Sequence, residues 1–317
     1  MTKKDLSIVV PCFNEQDSIT VFYESLCSVI ERDLPQDLNV ELLFIDDGSS
    51  DSTLELLKGL YANDLRVRYL SFSRNFGKES AIYAGLKHAR GKYVAIMDAD
   101  MQDPPDMLPV LYGAVNSGKC DIARLRRTNR RGEPRIRSLF ARAFYKMMNR
   151  ISHTEVVDGA RDYQLMNEKV AKAILSMSEY NRFFKGISGW VGFKTEWFEY
   201  ENIERVAGET KWNFFSLFRY ALDGIISFSS APLVLISGGG MLCFLIAIVM
   251  ILTVAIRALF FGDPVAGWPS TICIMLFLGG IQLLSLGVVG AYLAKTYLEV
   301  KRRPLYILSE QSNRDGE

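Results

Sequence analysis

Two aspartates separated by one residue, Asp98 and Asp100, have the clearest chemical use in this sequence. They follow an apolar run at residues 93–97, and Gln102 and Asp103 come soon after them. Carboxylate oxygens are the ligands that Mg²⁺ and Mn²⁺ prefer, and such ions commonly bridge a protein carboxylate to a substrate phosphate. We therefore predict that Asp98 and Asp100 bind Mg²⁺ or Mn²⁺, and that the ion neutralises a departing diphosphate.

Polar clusters also follow three earlier apolar runs. They read PCFNE at 11–15, DDGSSDS at 46–52 and SRNFGK at 73–78. The carboxyl ends of parallel strands meet in one crevice, so we expect the clusters to form a single site. A carboxylate of Asp46 or Asp47 could there accept hydrogen bonds from a nucleotide base or ribose. One cluster alone could be a turn, and Asp51 with Ser52 is equally typical of a helix N-cap.

Short apolar strands alternate with helical stretches through the N-terminal half. The predicted strands are 6–11, 40–46, 67–72 and 93–97, and the predicted helices are 16–32, 52–62, 78–89 and 105–117. This alternation predicts an α/β fold, with a mostly parallel sheet and helices on both faces.

Several other classes of protein are disfavoured by composition and motifs. The net charge of +1 gives no reason to expect a nucleic-acid partner. The sequence has no GxGxxG after its first strand and no GxxxxGK[ST], which argues against a dinucleotide cofactor and a P-loop ATPase. Its five cysteines are widely spaced and read as free thiols, with no zinc site. The apolar run 6–10 is too short for a signal peptide.

Two long uncharged runs, 224–256 and 264–294, occupy the C-terminal part. Each exceeds the ~20 residues that a membrane-spanning helix needs, although a buried core helix is the alternative. The short linker 262–267 is rich in turn residues, which predicts a hairpin of two spans. Lysines and arginines lie before the first span and after the second. The positive-inside rule therefore places these flanks, and with them the N-terminal domain, in the cytosol.

Two further segments are predicted to lie in the membrane interface. Residues 135–152 have an apolar face beside basic residues, which is typical of an interfacial helix, with a core-packing helix as the alternative. Residues 213–230 lead into the first span as a juxtamembrane helix. Glycines within the spans would let helices pack closely, which leaves a homo-oligomer open.

Five segments together resemble family 2 glycosyltransferases, which have the GT-A fold. The segments are SIVVPCFNE at 7–15, FIDDGSSD at 44–51, SRNFGKE at 73–79, MDADMQDPP at 97–105 and WVGF at 190–193. The sequence is most similar to polyprenyl-phosphate glycosyltransferases, the group that includes bactoprenol glucosyltransferases and dolichol-phosphate mannose synthases. The resemblance extends from about residue 6 to residue 303.

The resemblance implies a role for each matching residue. The expected donor-nucleotide contacts are Pro11, Asn14, Glu15, Asp46, Asp47, Lys78, Asp98 and Gln102. The expected metal ligands are Asp98 and Asp100, and the expected catalytic residues are Asp100 and Asp162. Independently of the resemblance, Arg126, Arg127 and Arg131 belong to a basic stretch and are expected to contact donor or acceptor phosphate. Arg205 and Lys211 are expected phosphate contacts because the loop between them closes over the donor in related enzymes, with a plain linker as the alternative.

Asp162 belongs to a variant of a family motif. The usual DAGDFRL corresponds here to DGARDYQL at 158–165, which keeps the second aspartate and replaces the arginine with Gln164. Asp162 is the candidate for a general base or an acceptor-orienting residue. Its alternative role is to anchor a loop by accepting backbone N–H bonds.

The predicted function is inverting transfer of one sugar from a UDP-sugar to a polyprenyl phosphate. The absence of QxxRW and of further spans favours a single transfer over polymerisation. Glucose from UDP-glucose to undecaprenyl phosphate is the expected reaction, with GlcNAc, galactose or mannose as alternatives. The alternative functions are those of a membrane nucleotidyltransferase and of a non-catalytic lipid-binding subunit.

The expected organisation has four parts, in a multi-pass protein of the plasma membrane. They are a cytosolic GT-A domain at 1–212, a juxtamembrane helix at 213–230, two spans within 231–296, and a cytosolic tail at 297–317.

Overall fold

The computed structural model describes residues 4–127, 159–200, 231–261 and 267–313. The chain divides into two compact units, one of Met1–Trp212 with Arg303–Glu317 and one of Asn213–Arg302. Several predicted features lie outside the described residues, namely the interfacial helix at 135–152, the juxtamembrane helix at 213–230, Arg131, Arg205 and Lys211.

The described part of the first unit contains a single eight-stranded sheet. Its strands are β1 (Lys4–Cys12), β2 (Val40–Asp46), β3 (Val67–Phe72), β4 (Gly91–Ile96), β5 (Ile122–Arg127), β6 (Ala160–Asn167), β7 (Thr195–Tyr200) and β8 (Leu308–Gln311). Their order is β7-β5-β6-β4-β1-β2-β3-β8. The first four strands are parallel to their neighbours among themselves, β5 is parallel to β7, and β6 and β8 run antiparallel to their partners. The predicted mostly parallel sheet is therefore confirmed.

Six described helices belong to this sheet unit. They are α1 (Ile19–Asp33), α2 (Thr53–Asn63), α3 (Lys78–His88), α4 (Leu108–Asn116), α5 (Glu168–Ser176) and α6 (Phe184–Trp190). A short 3₁₀ turn, Pro105–Met107, precedes α4.

Two apolar layers cover the two faces of the sheet. Ile8 and Val10 of β1 pack in the layer that contains buried residues of α1, α2 and α4. Val9, between them, packs in the layer that contains residues of α3, α5 and α6. Successive side chains of a strand point to opposite faces, so a strand covered on both faces needs apolar residues at consecutive positions. This requirement explains why β1 and β2 have apolar residues at consecutive positions. Packing on both faces fixes the two strands, and so the positions of their ends.

The eighth strand comes from the C-terminal end of the chain. β8 pairs with β3, and Ser312 N–H donates to the carbonyl of Tyr69 at 2.9 Å. Tyr306 stacks on Phe72 with ring centroids 5.0 Å apart. The segment therefore covers the edge that β3 would otherwise leave unpaired. The sequence pattern predicts only a tail at 297–317, so this strand corrects that expectation.

The second unit contains two long helices, α7 (Ala231–Phe261) and α8 (Trp268–Lys301). Their windows Pro232–Met250 and Phe277–Lys301 have mean hydropathies of 2.6 and 1.7, and neither is buried inside the protein. At ~1.5 Å per residue, helices of 31 and 34 residues are ~46 and ~51 Å long, against a bilayer core of ~30 Å. By length and composition the two helices could cross a membrane, as predicted.

Candidate active site

A cavity of about 250 Å³ opens where β1, β2 and β4 end. Residues from all four predicted clusters line it: Pro11, Cys12, Phe13, Glu15, Asp47, Asn75, Gly77, Lys78, Ala81, Asp98, Ala99 and Asp100. The structure thus brings six predicted site residues to one cavity, namely Pro11, Glu15, Asp47, Lys78, Asp98 and Asp100. The expectation that the clusters meet in one crevice is confirmed, and their roles in binding stay predictions.

The loop after β2 depends on a close backbone approach. Asp47 N–H donates to the carbonyl of Cys12 at 2.9 Å, which fixes the end of β2 against the end of β1. Gly48 follows with φ of +67°, and a Cβ there would lie 2.4 Å from the carbonyl carbon of Arg74. A side chain at position 48 would therefore push the 73–78 loop away from the cavity.

Asp46 and Asp47 are both buried and hold neighbouring loops. Asp46 accepts bonds from the hydroxyl of Ser71 at 2.7 Å and from Ser49 N–H at 3.0 Å. Asp47 accepts backbone N–H bonds from Phe76 and Gly77 at 2.7 and 2.9 Å. Burial raises the pKa of Asp47, although these two bonds oppose the change. Asp47 thus orders the loop that presents Lys78, while Asp46 fixes its own loop to β3. Nucleotide contact by either remains a prediction.

The loop after β1 is fixed by polar contacts with the loop after β2. Asn14 has φ of +55°, and its side-chain oxygen accepts a bond from Ser50 N–H at 2.8 Å. Glu15 N–H donates to the Thr53 hydroxyl at 2.8 Å, while its carboxylate accepts a bond from the Ser18 hydroxyl at 2.6 Å. These bonds hold the carboxylate of Glu15 at the cavity wall. Asn14 lies beside the cavity without lining it.

Lys78, the first residue of α3, bridges two carboxylates. Its Nζ lies 2.7 Å from Asp98 and 2.6 Å from Oδ2 of Asp162. Burial lowers the pKa of Lys78, but the two carboxylates outweigh it and the pKa lies above its ordinary value. The contact joins a predicted metal ligand to the predicted acceptor-side residue.

A second lysine, not predicted from sequence, faces Asp162. Nζ of Lys185 in α6 lies 3.7 Å from Oδ1 of Asp162. Burial raises the pKa of Asp162, but Lys78 and Lys185 outweigh it and the pKa lies below its ordinary value. Asp162 is therefore ionised at neutral pH. The contact joins residues 23 positions apart, and nothing in the local sequence pattern identifies it.

Glu79 was also missed, and it joins α3 to α6. Its Oε2 accepts a bond from Phe184 N–H at 2.7 Å. Burial, and then the charge of Asp162, raise the pKa of Glu79 to about 7. This carboxyl group is therefore partly protonated near neutral pH.

Arg161 ties the loop after β4 to β6. Its guanidinium donates to Asp103 at 2.8 Å, to the Tyr200 hydroxyl at 3.0 Å and to Oε1 of Gln102 at 2.9 Å. The last of these bonds fixes the orientation of the Gln102 side-chain amide, although Gln102 does not line the cavity. In the same loop Gln102 N–H donates to Asp100 Oδ1 at 3.1 Å. The only sequence signal was the arginine within the altered motif at 158–165.

The last two residues of β5, Arg126 and Arg127, are predicted phosphate contacts. Arg126 forms an ion pair with Glu199 of β7, and Arg127 N–H donates to the carbonyl of Gly159 at 3.1 Å. Neither lines the cavity. Their contact with phosphate therefore stays a prediction.

The donor set at Asp98 and Asp100 suits a divalent cation that is shared with a ligand. Both carboxylates line the cavity, and one already attracts an ammonium group. Among the described residues no three His, Cys, Asp or Glu side chains lie together as a closed metal site. Mg²⁺ typically takes one or two carboxylates and fills its other positions with phosphate and water. Two carboxylates beside a cavity fit that pattern.

Comparison with known proteins gives a consistent result. Residues 7–175 match the family Glycosyl transferase family 2. The prophage bactoprenol glucosyl transferase homolog of Escherichia coli (strain K12) is 40% identical over 96% of this chain and 98% of its own. The SfII prophage-derived bactoprenol glucosyl transferase of Shigella flexneri is 41% identical over 96% and 97%. The bactoprenol glucosyl transferase of Shigella phage SfV is 40% identical over 98% and 99%.

The matched region begins in β1 and ends in α5, so it contains the whole cavity lining. The three relatives extend the similarity across α7 and α8 to nearly the full chain. The predicted glycosyltransferase class is confirmed, and this chain belongs to glycosyl transferase family 2.

Proposed function

We propose that this enzyme transfers one glucose from UDP-glucose to a polyprenyl phosphate such as undecaprenyl phosphate. The observation that carries the proposal is the 40–41% identity to relatives named bactoprenol glucosyl transferases, over 96–98% of the chain. Identity at this level spans the catalytic unit and both apolar helices. Two helices that could cross a membrane also suit an acceptor that resides in one.

The cavity at the strand ends is the proposed site of the nucleoside diphosphate. Its polar lining includes Glu15 and Asp47 near the loops after β1 and β2, and Asp98 and Asp100 after β4. The carboxylates of Glu15 and Asp47 can accept hydrogen bonds from ribose hydroxyls or a base N–H. The amide NH₂ of Gln102, oriented by Arg161, would donate to the diphosphate or the sugar.

Asp98 and Asp100 would hold Mg²⁺ or Mn²⁺ against the diphosphate. The ion would supply positive charge that stabilises the leaving group. Asp100 is held for this purpose by the backbone N–H of Gln102.

The reaction would proceed with inversion at the anomeric carbon. The acceptor phosphate oxygen attacks from the face opposite the departing diphosphate, forming the new C–O bond as the bond to the diphosphate breaks. A phosphate monoester is already anionic near neutral pH, so the attack needs little help from a base. Asp162, kept ionised by two lysines, would then serve chiefly to orient groups on the acceptor side.

The proposed location is the plasma membrane, with the catalytic unit in the cytosol. Lys295, Lys301, Arg302 and Arg303 near the end of α8 supply the positive charge that favours this side.

A panel of nucleotide-sugars tests the proposed substrate pair. The full-length protein in detergent would be incubated with undecaprenyl phosphate and each of UDP-glucose, UDP-GlcNAc, UDP-galactose and GDP-mannose. We expect a hexosyl phospholipid by mass spectrometry with UDP-glucose, at least ~10-fold faster than with any other donor. A faster reaction with another sugar would overturn the choice of glucose, and no product with any donor would overturn the proposed function.

A further inference from the structure

Asp162 lies between two ammonium groups, each facing a different oxygen. Lys78 contacts Oδ2 at 2.6 Å, and Lys185 lies 3.7 Å from Oδ1. The side chains of Lys78 and Lys185 are 42% and 28% exposed, whereas that of Asp162 is 17% exposed. The carboxylate is therefore the inner member of the cluster, and the two cations are the members that a ligand can reach.

The fold holds the two lysines in this arrangement through one hydrogen bond. Phe184 N–H donates to Glu79 Oε2 at 2.7 Å, joining the first residue of α6 to the first turn of α3. Lys78 precedes Glu79, and Lys185 follows Phe184. The bond thus fixes the starts of the two helices relative to one another, and with them the backbone positions that carry the two lysines.

The cluster borders the cavity without lying inside it. Lys78 lines the cavity together with Asp98 and Asp100, whereas Asp162 and Lys185 do not line it. A group bound by the two lysines would therefore sit beside the proposed diphosphate site. An attacking nucleophile needs a place of this kind, next to the sugar and separate from the leaving group.

The chemistry of the cluster suits the binding of an anion better than the removal of a proton. A carboxylate that faces two ammonium groups is stabilised in its charged form, which makes it a weak base. An ammonium group has three N–H donors, and Lys78 donates to Asp98 and to Asp162. The 3.7 Å separation at Lys185 is too long for a hydrogen bond, so its donors can turn toward a ligand.

We propose that Lys78 and Lys185 bind the phosphate group of the acceptor lipid, and that Asp162 is a positioning residue for them. The inference rests on the proposed function, since it assigns the acceptor of that reaction. Phosphate oxygens are also present in the donor, so the test must separate acceptor binding from donor binding.

Lys185→Met removes one cation while keeping a side chain of similar length, and it leaves the cavity lining intact. The matched control is Lys172→Met, since Lys172 is exposed in α5 and forms an ion pair with Glu168 one turn away on the same helix. Initial rates would be measured against undecaprenyl phosphate, and the Kd of UDP-glucose by titration calorimetry. We expect the acceptor KM of Lys185→Met to rise about tenfold or more, with the donor Kd changed less than about twofold.

Lys185→Arg keeps the charge, and we expect it to restore most of the acceptor affinity. An unchanged acceptor KM in Lys185→Met would overturn the proposal. So would an equal loss of UDP-glucose affinity, because the lysine would then act on the donor or on the fold. Lys172→Met should match the wild-type protein in both measurements.

The role of Asp162 is tested by a double variant. Asp162→Asn should raise the acceptor KM, and Asp162→Asn with Lys185→Met should cost little more than either alone, because both changes disturb one cluster. A fall in kcat alone, with the acceptor KM unchanged, would indicate a general base and contradict a positioning role. Additive losses in the double variant would contradict the proposal, because they would mean that Asp162 and Lys185 act independently.

Failure of the proposed function would be visible separately. Suppose that the wild-type protein transfers no sugar to undecaprenyl phosphate. In that case dodecyl phosphate can still be titrated into the wild-type protein and into Lys185→Met without a donor, and its binding measured. Weaker binding to the variant would support the lysine site on its own. Equal binding to both proteins, or none to the wild type, would overturn it.

Discussion

At the scale of single residues, Arg161 is the side chain that holds the loop after β4, which carries the predicted metal ligands Asp98 and Asp100. It reaches Gln102, the buried carboxylate of Asp103 and the hydroxyl of Tyr200. Arg161→Met would leave Asp103 without its cation, and breaking such a buried pair costs ~3–5 kcal/mol. We expect a clear fall in Tm by thermal unfolding in detergent, together with lost activity.

Arg161→Lys separates the structural role from the orienting role. Lysine keeps the charge beside Asp103 but cannot reproduce the planar fork that also reaches Gln102. We expect a Tm close to that of the wild-type protein and a kcat lower by about tenfold. Full activity in Arg161→Lys would show that the orientation of Gln102 does not matter.

Glu79 gives the fold a dependence on pH. Its pKa in the folded protein is about 7, above the usual 4.5, because it is buried near Asp162. An acid whose pKa is raised by folding favours the fold at low pH, and that contribution is lost as the pH rises from 4.5 to 7. Glu79→Gln keeps an oxygen for Phe184 N–H but cannot ionise.

Thermal unfolding at pH 5 and pH 8 measures this effect. Relative to the wild-type protein, Glu79→Gln should gain stability at pH 8, by at most ~3 kcal/mol. The same dependence on pH in both proteins would mean that another group carries it.

At the scale of elements, the first four strands could be predicted and the last four were not. β1 and β2 are covered on both faces, so their apolar residues form unbroken runs. β6 carries Asp162, Gln164 and other polar residues because it begins at the site, and β8 is a four-residue edge strand. Whether such segments form strands depends on their pairing with neighbouring strands, which the local sequence pattern does not show.

The same distinction explains which site residues were predicted. Asp98 and Asp100 follow a buried strand and could be found from their spacing. Lys185 and Glu79 reach the site through the packing of α6 and α3, far apart in the chain. Contacts of that kind depend on how helices pack over the sheet, which the sequence pattern does not specify.

β8 and the residues before it support the loop that lines the cavity. Tyr306 stacks on Phe72, its hydroxyl lies 3.1 Å from Nε2 of His88, and Ser73 N–H donates to the carbonyl of Ile307 at 2.9 Å. Ser73 begins the loop that ends at Lys78. Tyr306→Ala should therefore loosen this loop, lower the stability by ~3 kcal/mol and raise the KM for UDP-glucose.

Tyr306→Phe is the matched control, since it keeps the stacked ring and removes only the hydroxyl. We expect it to cost less than ~1.5 kcal/mol and to leave the donor KM unchanged. Unfolding by heat and initial rates at varied UDP-glucose measure both quantities. A donor KM in Tyr306→Ala equal to that of the wild-type protein would exclude any support of the loop by the C-terminal segment.

At the scale of the whole molecule, the sequence divides sharply by composition. The charge-free runs predicted two long apolar helices, and α7 and α8 are helices of 31 and 34 residues. The return of the chain after α8 to add a strand to the sheet was not predicted, because LSEQ is short and polar. The catalytic unit is therefore built from two separate parts of the chain, Met1–Trp212 and Arg303–Glu317, with the two long helices between them in sequence.

The central claim is a cation-dependent transfer of glucose from a nucleotide to a lipid phosphate. UDP release by the purified full-length protein tests it most directly, with UDP-glucose, Mg²⁺ or Mn²⁺ and undecaprenyl phosphate each omitted in turn. We predict release only when all three are present, with a loss of at least ~100-fold in Asp100→Asn. Asp106→Asn, at an exposed aspartate paired with Arg32, should retain the wild-type rate. Rapid UDP release by Asp100→Asn without added metal, or release that ignores the lipid phosphate, would contradict the account.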